Sequence, residues 1–291
     1  MNNYIDFEID NERPDGKFTP WGGHREIAYY LVSEVKPKSI VELGTHWGVS
    51  LFSFLQAIKD NCLDTKVHAI DTWEGESHAG IYGEEVFNFI KNGKKKYFND
   101  IECSLIRKLF DDAVQLFDDN SVDIIHIDGL HTYEATKNDY YNWLPKLSSN
   151  GIVIFHDIAA NVDYGSRLFW DEVKGSYPYF ESDHSWGIGI LFPKGNQNYK
   201  KLLDDNFHDK LILFKYKYLS DLYSVQLKKA ENLINEKDQL IKLTENLAEE
   251  RLALVRSTEE ISNARFNIMK KLERELTKIP KIVRFIFGKV S

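Results

Sequence analysis

Ser39-Ile-Val-Glu-Leu-Gly-Thr-His-Trp-Gly-Val-Ser50 is the stretch that decides the fold. Ile40 to Leu43 form an apolar run ending in a glycine-containing turn, and Val49 to Ile58 follow with the apolar content of a buried helix. The order is strand, tight turn, helix. Gly44 and Gly48 allow a sharp bend and the close approach of a ligand, with Thr45 and Ser50 in the same turn, while the unpaired N–H groups of the helix start face that ligand. Lys66 to Ile70 reads as a second strand that delivers Asp71 at its carboxyl end, where a carboxylate can accept both hydroxyls of a ribose. Together these features describe a nucleotide-type site.

The glycine spacing excludes a dinucleotide, which needs G-x-G-x-x-G so that a pyrophosphate can sit on the helix start. Here the pattern is E-x-G-x-x-x-G-x-S, and Glu42 brings a carboxylate to the mouth of the site, which suits a cationic ligand. S-adenosylmethionine carries an ammonium and a sulfonium and no phosphate. With Glu42, Gly44, Gly48 and Asp71 in this order, the chain resembles the class I S-adenosylmethionine-dependent methyltransferases. The resemblance implies an α/β fold with a doubly wound, mostly parallel Rossmann-like sheet. Trp73 then either stacks beside the adenosine or packs beneath it.

A chain of 291 residues, 43% of them hydrophobic, can bury one sizeable core and still carry an appendage. The net charge of −8 sets the protein's field against nucleic acid. Cys62 and Cys103 share no metal-ligand spacing, so neither a disulfide framework nor a zinc site is indicated. The first residues lack a basic and apolar leader pattern, and no apolar run reaches the roughly 18 residues that a membrane span requires. A cytoplasmic protein is expected.

Cys103 to Arg107, Val122 to Asp128 and Gly151 to Ile158 read as further strands, with a helix from Tyr133 to Leu144. Gly187 to Phe192 reads as an edge strand closing a domain that spans 1–196, and 197–218 as a connector. Beyond it, Leu233, Leu240, Leu247, Leu254, Ile261 and Ile268 recur every seven residues, the mark of a coiled-coil helix over 219–276 and of a homo-oligomer. A neighbouring column holds Ile234, Ile241, Ala248, Val255 and Met269, but the complementary column holds Lys237, Thr244 and Arg251, so the register and oligomer number are weakly specified. Residues 277–291 interleave Lys278, Lys281, Arg284 and Lys289 with apolar residues, a basic amphipathic tail suited either to a peripheral membrane contact or to capping the helix.

Acceptor chemistry is sought outside the carboxyl ends of the later strands. Two ends are polar: Ile127-Asp-Gly-Leu-His-Thr-Tyr-Glu134 and Phe155-His-Asp-Ile158. Methyl transfer to an alcohol needs the hydroxyl held in line and its proton removed, work for a histidine beside a carboxylate. His131, His156 and Asp157 are the candidates, with His131 ranked first as general base; the competing role for each histidine is a loop or backbone hydrogen bond.

Trp21-Gly-Gly-His-Arg25, Asp71-Thr-Trp-Glu-Gly75, Tyr82-Gly-Glu-Glu-Val-Phe87 and Phe155-His-Asp157 extend the resemblance to a bacterial subgroup of these methyltransferases found with surface-polysaccharide glycosyltransferases. That implies a sugar or glycan hydroxyl as acceptor. A related branch binds a divalent metal such as magnesium through carboxylates at the ends of the fourth and fifth strands, where Asp128 and Asp157 fall, Asp128 also being a cofactor contact. The third ligand of that branch is Ile158 here, a departure that leaves His131 or His156 to substitute. Two other functions fit the same residues, a non-catalytic cofactor-binding coiled-coil scaffold and a small-molecule methyltransferase of secondary metabolism.

Overall fold

Continuous apolar strands require cover on both faces, and the chain supplies it by alternating strands with helices. A computed structural model of the protein describes residues 5–76, 80–161 and 163–278. In chain order these form α1 (Arg25–Val35), β1 (Ser39–Leu43), α2 (Val49–Asp60), β2 (Lys66–Asp71), the small strands β3 (Gly75–Glu76) and β4 (Gly80–Ile81), and α3 (Glu84–Tyr97). There follow β5 (Cys103–Arg107), the single turn α4 (Phe110–Ala113), β6 (Val122–Ile127), α5 (Tyr133–Trp143), β7 (Leu147–His156), α6 (Gly165–Lys174), β8 (Tyr179–Ser182), β9 (Ile188–Leu191), α7 (Gln197–Asp204) and α8 (Phe207–Thr277).

The main sheet has seven strands in the order β5-β2-β1-β6-β7-β9-β8, and β3 pairs with β4 apart from it. The first five are parallel, and β9 runs antiparallel to both β7 and β8. One core lies on the face covered by α1, α2 and the start of α8, with Ile27, Leu31, Phe54 and Phe207 in it. The other, containing Trp143, Phe155, Phe169 and Trp170, lies under α5 and α6. From β1 the chain moves outward to β2 and β5, then returns to β6 on the other side. The strand order therefore reverses between β1 and β6, the point at which open α/β sheets bind ligands.

Two strand expectations change. Gly187 to Phe192 does form a strand, but β8 lies outside it as the edge; Tyr179-Phe-Glu-Ser182 is too short to show a period in the sequence. β7 also starts at Leu147, which pairs with Val122; the register then shifts, and the ladder resumes at Ile152 against Ile124, so the polar Ser148-Ser-Asn150 sits in an irregularity that no apolar pattern announces.

The chain divides into two compact units, 1–222 and 223–291. In the first, residues 197–218, expected as a connector, are helical except at the α7–α8 junction, and place Leu202, Phe207 and Leu211 in the core. In the second, helix α8 runs to Thr277, and the heptad residues from Leu233 to Ile268 are each more than half exposed. The basic tail lies almost wholly outside the described residues. Among those described, no helix is long and apolar enough to cross a membrane.

Candidate active site

The turn after β1 is fixed by close backbone approach. Gly44 has φ +91, and a Cβ there would fall 2.0 Å from the carbonyl oxygen of Asp128. The ends of β2 and β6 hold it in that position, since Gly44 N–H donates to the Ile70 carbonyl and Asp128 N–H to the Leu43 carbonyl, both at 2.9 Å. Gly48, at φ +75, caps α2. Asp71 then ties the turn down: its Oδ2 accepts from the N–H groups of Thr45 (2.9 Å) and His46 (2.8 Å), and its Oδ1 from Trp73 N–H (2.7 Å). Asp71 lines the cleft as the sequence suggests, but its first task is to shape two loops.

Glu42 and Trp73 are corrected. Side chains alternate along β1, so Glu42 shares the Ile40 face and points into the protein, away from the cleft mouth. Its Oε1 lies 3.2 Å from His126 Nδ1, and Trp21 Nε1–H donates to His126 Nε2 at 3.2 Å. An indole nitrogen can only donate, so Nε2 is the acceptor and Nδ1–H is the donor to Glu42. Trp73 is fully buried against Phe87, with its indole N–H on the His46 carbonyl, and it takes the packing role.

Asp128, His131, His156 and Asp157 come together at the ends of β6 and β7. His131 Nε2 lies 2.8 Å from Asp157 Oδ2. His156 Nδ1 lies 3.1 Å from Asp128 Oδ1 and 3.2 Å from Asp157 Oδ1. Burial alone would lower the pKa of His156, but the two carboxylates outweigh it and lift the value to about 10. The same balance runs the other way for Asp157: burial opposes its charge, and His156 and His131 hold its pKa below the usual carboxylate range. His131 keeps an exposed edge, whereas the His156 ring is buried between Trp21 and His24. His131 is therefore the histidine that opens to the cleft, while His156 is buried against the carboxylates of Asp128 and Asp157. Asp157 holds φ +57, a left-handed conformation that a packed surrounding must enforce.

One oxygen or nitrogen from each of Asp128, His131 and Asp157 lies within 4.8 Å of the others, a donor set of two carboxylates and an imidazole that suits a divalent cation. His131 takes the place that Ile158 cannot fill. His156 is not in this set; its Nδ1 is engaged with the carboxylates and its Nε2 is buried without a partner.

Between the β1–α2 turn and these residues opens a cleft of about 320 Å³, lined on one side by Thr45, Gly48, Ser50 and Asp71 and on the other by Asp128, His131 and Asp157. The residues at its rim were not all legible in sequence. Arg13, its guanidinium 4.4 Å above the Trp47 ring, comes from the N-terminal segment, and Tyr164 and Trp186 from later loops. No motif announces them. His126 is different, because one histidine inside the apolar Val122–Ile127 strand is a visible signal. Arg25 does not line the cleft; it is nearly buried and pairs with Asp10 at 2.9 Å.

Comparison with known proteins bears on the fold. To the uncharacterized protein y4gI of Sinorhizobium fredii the chain is 39% identical over 173 residues, which is 59% of this chain and 19% of that one. The chain thus spans about a fifth of that relative's length. A Corynebacterium glutamicum structure superposes with a TM-score of 0.50 at 15% identity, covering 67% of this chain and 92% of that one, which shows the fold. The SAH-bound methyltransferase PaMTH1 of Podospora anserina gives a TM-score of 0.48 at 14% identity over 64% of this chain and 85% of that one. Residues 41–158, from within β1 to just past the end of β7, match the family described as "Methyltransferase domain".

Proposed function

We propose that the chain is an S-adenosylmethionine-dependent O-methyltransferase whose acceptor is a hydroxyl of a sugar or surface-polysaccharide intermediate. The His131–Asp157 pair carries this reading, because it sets a base oriented by a carboxylate across the cleft from the cofactor turn. The cleft fits the cofactor in kind: a helix start, two left-handed glycines, the Asp71 carboxylate, and a Thr45 hydroxyl buried without a partner. When bound, the cofactor supplies an electrophilic methyl group.

The residues of the chain supply the rest. With Nε2–H donated to Asp157, the lone pair of His131 lies on Nδ1, which takes the proton of the acceptor hydroxyl as its oxygen becomes a nucleophile. Asp157 holds the ring and stabilises the imidazolium that results. Asp128 and His156 fix Asp157 in turn. Trp186, part-exposed beside Tyr164 at the rim, offers an aromatic face to the C–H face of a sugar ring, which supports a carbohydrate acceptor.

A second reading is favoured by the donor set itself: Asp128, His131 and Asp157 hold a divalent cation such as magnesium, whose charge would make the acceptor hydroxyl more acidic. His131 is then a ligand and not the base. The apolar seam of α8 supports homo-oligomerisation through a coiled coil, and the basic tail supports a peripheral contact with a membrane surface in the cytoplasm.

Calorimetric titration of the full chain with S-adenosylmethionine, beside Asp71→Ala, tests the cofactor. No binding by the unaltered chain refutes the enzyme, and binding without turnover on any glycan leaves the scaffold. Mass spectrometry of surface glycans with and without the gene tests the acceptor. An unchanged methyl content points to small-molecule metabolism instead.

A further inference from the structure

We propose that Arg13 receives the carboxylate of the methyl donor. The inference rests on the S-adenosylmethionine reading above. Among the described residues lining the cleft, Arg13 is the one arginine or lysine, set against the carboxylates of Asp71, Asp128 and Asp157. Acidic groups suit the ribose and the cationic parts of the donor, but its amino-acid end also carries a carboxylate. So acidic a cleft needs a cation where that end lies.

The placement of Arg13 meets the need. Its guanidinium lies 4.4 Å above the ring of Trp47, a residue of the β1–α2 turn that shapes the donor side, whereas the acceptor-side acids come from the ends of β6 and β7. Stacking of this kind holds the guanidinium plane and leaves its N–H edge for a planar partner, and a carboxylate can take two of those N–H groups at once. The edge has unused capacity: Nη1 is buried without a hydrogen-bond partner, and the Asp15 carboxylate reaches only Nε, at 3.8 Å. Burial already works against the charge of Arg13, a cost that an ionised ligand at Nη1 would offset.

The test is calorimetry on the full chain, on Arg13→Gln and on Arg13→Lys, with two ligands. S-adenosylhomocysteine keeps the carboxylate; 5′-methylthioadenosine lacks the amino-acid end. For Arg13→Gln we expect affinity for S-adenosylhomocysteine to fall roughly 10- to 100-fold, the range of one lost charged hydrogen bond, with affinity for 5′-methylthioadenosine held within about twofold. Arg13→Lys should fall between, since it keeps the charge without the fork. Equal losses for both ligands would mean a structural role and overturn the proposal, as would no loss for either. Unchanged S-adenosylhomocysteine affinity with a raised acceptor KM would assign Arg13 to the acceptor and overturn it too. If the unaltered chain binds neither ligand, the cofactor reading fails and this one with it; if it binds both and the variants do likewise, only the role of Arg13 fails.

Discussion

His131 Nε2 and Asp157 Oδ2 stand 2.8 Å apart, one from the loop after β6 and the other just past the end of β7. Two neighbouring parallel strands thus bring to one point groups that are 26 positions apart in the chain. Replacing His131 by Asn should lower turnover by about 100-fold or more while S-adenosylhomocysteine affinity stays within about twofold. Retained turnover would remove His131 from the chemistry. Chelation separates the two readings of this residue: a base needs no metal, whereas loss of activity in chelator that magnesium restores identifies a ligand.

The same pair sets a pH profile. Burial opposes protonation of His131, but the hydrogen bond to Asp157 and the charge of Asp128 prevail, so its pKa is raised above 6.5. A base works deprotonated, and turnover measured in chelator should therefore climb as pH rises past the ordinary imidazole range. Asp157→Asn removes the main raising partner. Its residual activity should rise at lower pH than that of the unaltered chain.

Stability should depend on pH through His156. Its folded pKa, about 10, lies above the value of 6.5 for a free imidazole, so the folded state holds the proton more tightly than the unfolded chain. The resulting stabilisation is complete below about pH 6.5 and is lost as pH rises towards 10. Denaturant midpoints at the two ends of that window, compared in chelator between the full chain and His156→Gln, should show the larger drop in the unaltered protein.

Gly44→Ala combines a left-handed φ with a Cβ 2.0 Å from the Asp128 carbonyl oxygen, and neither backbone can yield without disturbing β1 or β6. A loss of stability on the order of 3 kcal/mol is expected, with cofactor binding abolished. Thermal melting and calorimetry read both.

For helix α8, light scattering on the full chain should give an oligomer, and Leu247→Glu with Leu254→Glu should give a monomer. Both positions are exposed within the single chain, so the change should leave the melting of the first unit unaltered.

The fold was legible because the parallel strands announce themselves: Ile40–Leu43, Val122–Ile127 and Ile152–Phe155 are apolar runs with few alternatives, and Gly44 marks the turn between β1 and α2. β8 escaped because four residues cannot display a period. Within the site, His131, Asp128 and Asp157 were readable from their positions at strand ends, since topology alone carries such ends to one edge. Glu42 misled because the one-residue alternation of a strand decides which face it takes, and an apolar run buried on both faces hides that phase. Arg13 and Trp186 could not be read at all; their place depends on how loops far apart in sequence fold over the sheet.

The cleft takes one wall from the β1–α2 turn within residues 41–158, but Arg13 and Trp21 come from before that span and Tyr164 and Trp186 from after it. On the readings proposed above, the His131–Asp157 pair is thus written inside that span, whereas the donor contact at Arg13 and the aromatic rim at Tyr164 and Trp186 are written outside it. Two proteins alike from β1 to β7 would then share the base and its carboxylate while differing in what the rim of the cleft admits.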